Sequence, residues 1–295
     1  MLAPWLEAIR TQLANAHGQG RLHHAIMLTG LRGVGKRALA TQLANALLCQ
    51  NPQQLSACGN CKSCGLLSAA THPDKLLLAE DNASIGVDAV REISHFVTQS
   101  AQQGGNKVAV IERAQNMTDA AANALLKTLE EPNSKRYLLL TCDEISRLPA
   151  TILSRCLKVD VAANQGALWL ASQSQTLPSH PWLSHFDSQP YLVLDWQDAQ
   201  VLPQIDTIFQ HTMALTAMPL SELQTILTKN PELVDTLCVF VQAKLRQRAL
   251  AGVSFQQLNA AEQALLLFTR ATKQQQGGNL VLQLTKLFSA LKQVL

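Results

Sequence analysis

From residue 20 to about 160 short apolar runs alternate with segments of helical period, and this alternation most narrows the fold. HAIMLT (24–29), KLLLA (75–79), KVAVI (107–111), RYLLLTC (136–142) and LKVDV (157–161) read as strands. KRALATQLANALLC (36–49), VDAVREISHFVTQ (87–99) and DAAANALLKTLEE (119–131) read as helices, the last stopped by Pro132. Strands joined through helices pair in parallel, and a parallel sheet needs apolar cover on both faces. The expectation is an α/β domain with a sheet between helical layers.

The first strand runs directly into Gly30-Leu31-Arg32-Gly33-Val34-Gly35-Lys36-Arg37, which opens a helix. This satisfies the phosphate-loop pattern G-x-x-x-x-G-K-[ST] at every position but the last. Gly30 and Gly35 permit a tight cradle of backbone N–H groups, and Lys36 would reach a terminal phosphate at the helix N-terminus. Arg37 stands where a hydroxyl would hold magnesium. The third strand ends in Glu112 and Arg113, where a hydrolysing site needs adjacent acids, and Arg113 cannot act as a base. The motif therefore reads as a phosphate-loop fold with a silenced site, in which ATP binds weakly at best.

Cys58, Cys61 and Cys64 form two overlapping C-x-x-C steps, and Cys49 lies upstream at the end of a helix. The two-residue gap lets a tight turn aim two sulfurs at one ion, and four thiolates close a zinc tetrahedron. Zn2+ held this way is structural and activates no water. The knuckle (49–64) is an insertion between a helix and a strand. An iron–sulfur cluster would accept the same four ligands, whereas a redox pair lacks a strand directly before the motif. His72 is a rival fourth ligand, read instead as a solvent-facing or supporting residue.

The chain has 295 residues, 47% hydrophobic and 15% charged, enough for two or three domains with real cores. A net charge of +3 permits a nucleic-acid partner without demanding one. No membrane span is expected, because no run of eighteen apolar residues occurs. The N-terminus carries no signal-peptide pattern, and Trp5, Leu6, Ile9 and Leu13 suggest an amphipathic first helix. Seven cysteines without a secretory signal fit a reducing cytoplasm with one metal site. Residues 172–203, rich in Ser, Gln, Pro and His, show no sustained period. From about 204 onward the pattern is helical, with an apolar stripe at Leu280, Leu284, Leu287, Leu291 and Val294. The expected division is 1–161, a reduced linking region 162–203, and an all-α domain 204–295.

Four segments, HHAIMLTGLRGVGK (23–36), CGNCKSC (58–64), TDAAANALLKTLEEP (118–132) and ATILSRC (150–156), together resemble the bacterial DNA polymerase III clamp-loader subunits of the AAA+ superfamily. The eroded acids and the missing hydroxyl resemble the family's non-hydrolysing delta-prime branch, as does THPDKLLLA with IGVDAVREI (71–93). The resemblance implies an assembly with gamma/tau and delta, which loads a sliding clamp onto primed DNA during replication. It places the chain within a DNA-directed DNA polymerase holoenzyme without making it an enzyme on its own. It implies that 204–295 oligomerises. Arg155 matches an arginine finger donated to a neighbour's ATP site, and Thr141 matches a phosphate sensor. Judged without the resemblance, Arg155 would cap a helix end or pair with a surface carboxylate, Thr141 is a buried strand-end residue, and Lys127 belongs to a solvated face. The alternatives are an active gamma/tau-type ATPase using Lys36 and a relocated acid, or an independent zinc-dependent DNA-binding protein.

Overall fold

The computed structural model describes residues 2–79, 84–131, 133–164, 166–172, 180–214, 220–273 and 280–294. Its strands are β1 (Ala25–Thr29), β2 (Lys75–Leu78), β3 (Lys107–Ile111), β4 (Arg136–Cys142) and β5 (Leu157–Asp160). They form one parallel sheet in the order β2-β3-β4-β1-β5. Successive side chains of a strand point to opposite faces, and the two cores divide accordingly. Ile26, Leu28, Val108, Val110 and Leu139 face one way, toward α1 (Pro4–Gly18) and α2 (Lys36–Leu48). On the other face Ala25, Met27, Ala109, Ile111, Leu138 and Leu140 meet α4 (Val87–Thr98) and α5 (Asp119–Glu130). A short α3 (Lys62–Ser68) lies within the cysteine insertion. Burial on both faces explains why the central strands read as unbroken apolar runs.

Local signals set the helix ends. Thr118 caps α5 by accepting from the Ala121 amide at 3.2 Å. Val90, Ile93 and Val97 are the buried face of α4. The four-residue α6 (Ala150–Leu153) leads into β5.

The chain separates into two compact units, Met1–Ser172 with Asp187–Leu192, and Gln173–Phe186 with Val193–Leu295. This differs from a boundary at 161. Helix α7 (Gly166–Ser172) belongs to the sheet unit, where Trp169 stacks on Tyr191 at 4.9 Å between centroids and meets Trp5 edge-on at 5.5 Å. Residues 180–203 are likewise more ordered than an irregular linker. They hold a short 3-10 turn at Leu183–Phe186 and α8 (Pro190–Asp198), and Trp182, Phe186 and Trp196 form part of the core of the second unit. Large aromatics bury much area at irregular spacing, so no helical period betrays them. The other elements described in that unit are helices: α9 (Leu202–Ala214), α10 (Leu220–Lys229), α11 (Leu233–Leu250), α12 (Phe255–Lys273) and α13 (Leu280–Lys292). Leu284, Leu287, Leu291 and Val294 of the apolar stripe are buried. Pro132 lies outside the described residues, as does most of 172–179.

Candidate functional site

The residues of the glycine loop and the acid positions gather at the carboxyl ends of β1, β3 and β4, where open parallel sheets bind ligands. Gly30 has φ +140° and Gly35 φ +99°, conformations that other residues rarely adopt. A Cβ on Gly30 would stand 2.1 Å from the Val161 carbonyl oxygen, so the loop is pressed against the segment that follows β5.

Lys36 reaches into this cradle and finds protein oxygens. Its Nζ donates to the Gly30 and Leu31 carbonyls, each at 2.7 Å, and lies 2.7 Å from Asp143 Oδ1. The two carbonyls take two of the ammonium's three hydrogens, and Asp143 stands beside it as its ion-pair partner. The side chain is 5% exposed. Arg37 Nε lies 3.3 Å from Glu112 Oε1, a guanidinium that is 67% exposed against a carboxylate that is 4% exposed. The buried acid is thus neutralised by the residue that replaces the magnesium-binding hydroxyl. Arg113, in a left-handed conformation at φ +49°, sends its amide to Thr141 Oγ1 at 2.9 Å. Thr141 is buried and already engaged. Asp143 also accepts from Gln115 Nε2 at 3.2 Å and approaches Arg113 Nε at 3.7 Å. Sequence reasoning missed Asp143, although an acid just past a central strand of a parallel sheet is a readable signal.

The outer surface of the loop is held by its own chain. Trp5 Nε1 donates to the Val34 carbonyl at 2.9 Å, and the Tyr191 amide donates to the Gly33 carbonyl at 2.9 Å.

Arg155 sits apart from this cluster. Ile152 and Cys156 are buried on either side of it, and Ser154 Oγ donates to the Thr151 carbonyl at 3.1 Å. Burial pushes the Cys156 thiol up to about 11, consistent with packing. Arg155 Nη1 donates to the Thr151 carbonyl at 3.0 Å, and Nη2 lies 2.5 Å from Glu130 Oε1. Among the described residues its polar partners all come from α5, from α6 and from the adjoining Ser154. Lys127 is exposed on α5.

The four knuckle sulfurs converge. Cys49 Sγ lies 3.5, 3.8 and 3.7 Å from the sulfurs of Cys58, Cys61 and Cys64, and Cys58 lies 3.9 Å from Cys64. A tetrahedron with metal–sulfur bonds of about 2.3 Å has edges of about 3.8 Å, so the set fits a zinc ion. The amides of Cys58 and Cys64 point at Cys49 Sγ (3.3 Å) and Cys61 Sγ (3.4 Å). The Gln50 amide draws the Cys61 thiol down to about 6, and burial pushes Cys64 up to about 12. A dication would remove that conflict by favouring the thiolate at every position. His72 is not a ligand of the cluster and not solvent-facing: it is buried, its Nε2 lies 3.2 Å from Ser63 Oγ, and its Nδ1 accepts from the Asp74 amide at 3.1 Å.

A family model described as "DNA polymerase III, delta subunit" matches residues 5–165, more than half of the chain. The chain belongs to the DNA polymerase III delta-subunit family. Several proteins similar to it are named DNA polymerase III subunit delta'. The Pseudomonas aeruginosa protein is 46% identical over 180 residues, covering 60% of this chain and 54% of that one. The Escherichia coli protein is 45% identical over 155 residues, covering 52% and 46%. The tau subunit of Salmonella typhimurium is 37% identical over 158 residues, 53% of this chain and 24% of its own. The chain spans about half the length of the delta' relatives it matches. A DNA polymerase III gamma-subunit-related protein from Thermotoga maritima shares the fold, with a TM-score of 0.53 at 15% identity over 98% of this chain and 99% of that one. In this family member, among the described residues, no helix is long and apolar enough to cross a membrane.

Proposed function

We propose that the chain is a non-hydrolysing, delta-prime-type subunit of a DNA polymerase III clamp loader. It assembles with gamma/tau and delta subunits, which together place a sliding clamp on primed DNA. The observation that carries the reading is the closed state of the glycine loop. Lys36 is satisfied by two loop carbonyls and Asp143, and Glu112 is paired with Arg37. Phosphate entry would require breaking three charge-assisted contacts to a buried ammonium, and magnesium would compete with the Arg37 guanidinium for Glu112. The site is therefore structural and the chain is not an ATPase on its own.

Its contribution to ATP turnover is Arg155, donated to a neighbour's ATP site as an arginine finger. A guanidinium there neutralises charge developing on the terminal phosphate. Cys49, Cys58, Cys61 and Cys64 hold a structural Zn2+ that fixes the insertion. The helical residues 204–295 form the oligomerisation domain, and the sheet unit carries the donated arginine.

The test is ATP turnover by the purified chain alone, and by its reconstituted assembly with gamma/tau and delta. The chain alone is expected to be inactive while the assembly forms and turns over ATP in a clamp- and DNA-dependent way. Turnover by the chain alone that Lys36→Ala abolishes would establish an active gamma-type ATPase instead.

A further inference from the structure

We propose that Glu130 is the positioning residue for Arg155, holding its guanidinium in place so that the remaining donors face outward. This rests on reading Arg155 as a group donated to a neighbouring ATP site. The backbone around Arg155 is anchored by buried Ile152 and Cys156, but the side chain is long and 35% exposed. An untethered arginine of this kind samples many rotamers. Three contacts restrain it. Nη1 is held over the end of α6 by the Thr151 carbonyl at 3.0 Å and by Ser154 Oγ at 3.3 Å. Nη2 is held by Glu130 Oε1 at 2.5 Å.

Glu130 is the last residue of α5, so this contact ties the guanidinium to the carboxyl end of a helix packed against the sheet. The negative end of the helix dipole adds to the carboxylate's attraction. A guanidinium carries five N–H donors. The Nη1 hydrogen bonds to Thr151 and Ser154 use two of them, and the ion pair with Glu130 is made through Nη2. Among the described residues Nε makes no hydrogen bond, which leaves it for phosphate oxygens. A lock would instead engage both faces of the fork in a bidentate pair. The observed arrangement orients and leaves an open edge, which is what pre-organisation of a charge-stabilising group needs.

The experiment is steady-state ATP turnover of the assembly reconstituted with gamma/tau, delta, clamp and primed DNA. Arg155→Ala, Glu130→Gln, Glu130→Asp and the double variant Arg155→Ala/Glu130→Gln are compared, with the thermal midpoint and the assembled fraction of each recorded. Glu130→Gln is expected to lower kcat by roughly three- to tenfold, a modest part of what misplacing a catalytic group can cost. KM for ATP, thermal midpoint and assembled fraction should stay at wild-type values. Glu130→Asp should restore part of the rate, and Glu130→Gln should add nothing once Arg155 is absent. If Arg155→Ala lowers turnover but Glu130→Gln leaves it unchanged or raises it, the positioning role is overturned while the donated arginine stands. Full additivity of the two substitutions, or a loss that tracks unassembled protein, overturns it equally. Unchanged turnover in Arg155→Ala overturns the donated-arginine reading, and this inference with it.

Discussion

Lys36 Nζ lies 2.7 Å from Asp143 Oδ1, and this buried contact ties the loop after β1 to the end of β4. In a working phosphate loop the same lysine must be free to meet a phosphate. Here the pair joins two strand ends. Replacing Lys36 with Met should leave the Gly30 and Leu31 carbonyls and Asp143 without their shared donor. Breaking one partner of a buried charged pair costs about 3–5 kcal/mol when fully buried, and about 2–3 kcal/mol is expected with Asp143 partly exposed. Urea unfolding of the purified chain measures this. A variant as stable as the wild type would mean that the contact is incidental.

A second prediction concerns Gly30, whose φ of +140° and close approach to the Val161 carbonyl leave no room for a side chain. Gly30→Ala should lose about 3 kcal/mol or more, combining backbone strain with displacement of the segment after β5. Gly59 also has positive φ but has open space around it, so Gly59→Ala should cost less. Thermal midpoints of the two variants provide the comparison, and equal losses would refute the steric argument.

The sheet unit was legible in the sequence because each of its signals is local. KVAVI and RYLLLTC are continuous apolar runs, as strands buried on both faces must be, and β3 and β4 match them residue for residue. The sulfur cluster was legible because ligand spacing survives without knowledge of the fold. The closed glycine loop was not. Lys36 and Asp143, and likewise Arg37 and Glu112, are far apart in sequence, and only the strand order brings each pair together. Glu130 was missed for the same reason: nothing in the run TLEE says that one of its acids meets Arg155. Residues 180–203 failed for another cause, since their core is built from a few large aromatics without a repeating period.

Removing metal tests the knuckle. Zinc is expected at one ion per chain, and mercurial titration of the thiols should release it. Cys61→Ser should lower zinc content and thermal stability, because binding energy of a structural zinc is folding energy. The parallel sheet lies outside the insertion, so far-UV circular dichroism should change little. His72→Ala should keep zinc, since His72 contacts Ser63 and the Asp74 amide and no sulfur. Visible absorbance from iron in freshly purified protein would overturn the zinc assignment.

The last prediction is a pH dependence carried by His24. Burial, and next the neighbouring His23, lower its pKa below the usual 6.5. The ring lies tilted against that of His23, 4.3 Å between centroids, and its Nε2 lies 3.1 Å from the Leu129 carbonyl near the end of α5. With the folded value depressed, the unfolded chain binds the proton first as pH falls through 6.5. Folding stability contributed by neutral His24 is therefore complete above that pH and declines below it. Gln offers a comparable donor to the Leu129 carbonyl and cannot titrate. His24→Gln should thus gain on the wild type, in thermal midpoint, as pH is lowered from 7.5 to 5.5. Other histidines titrate in both proteins, so the difference between the two curves is the readout. A difference that stays constant across the range would show that His24 is not held neutral by its surroundings.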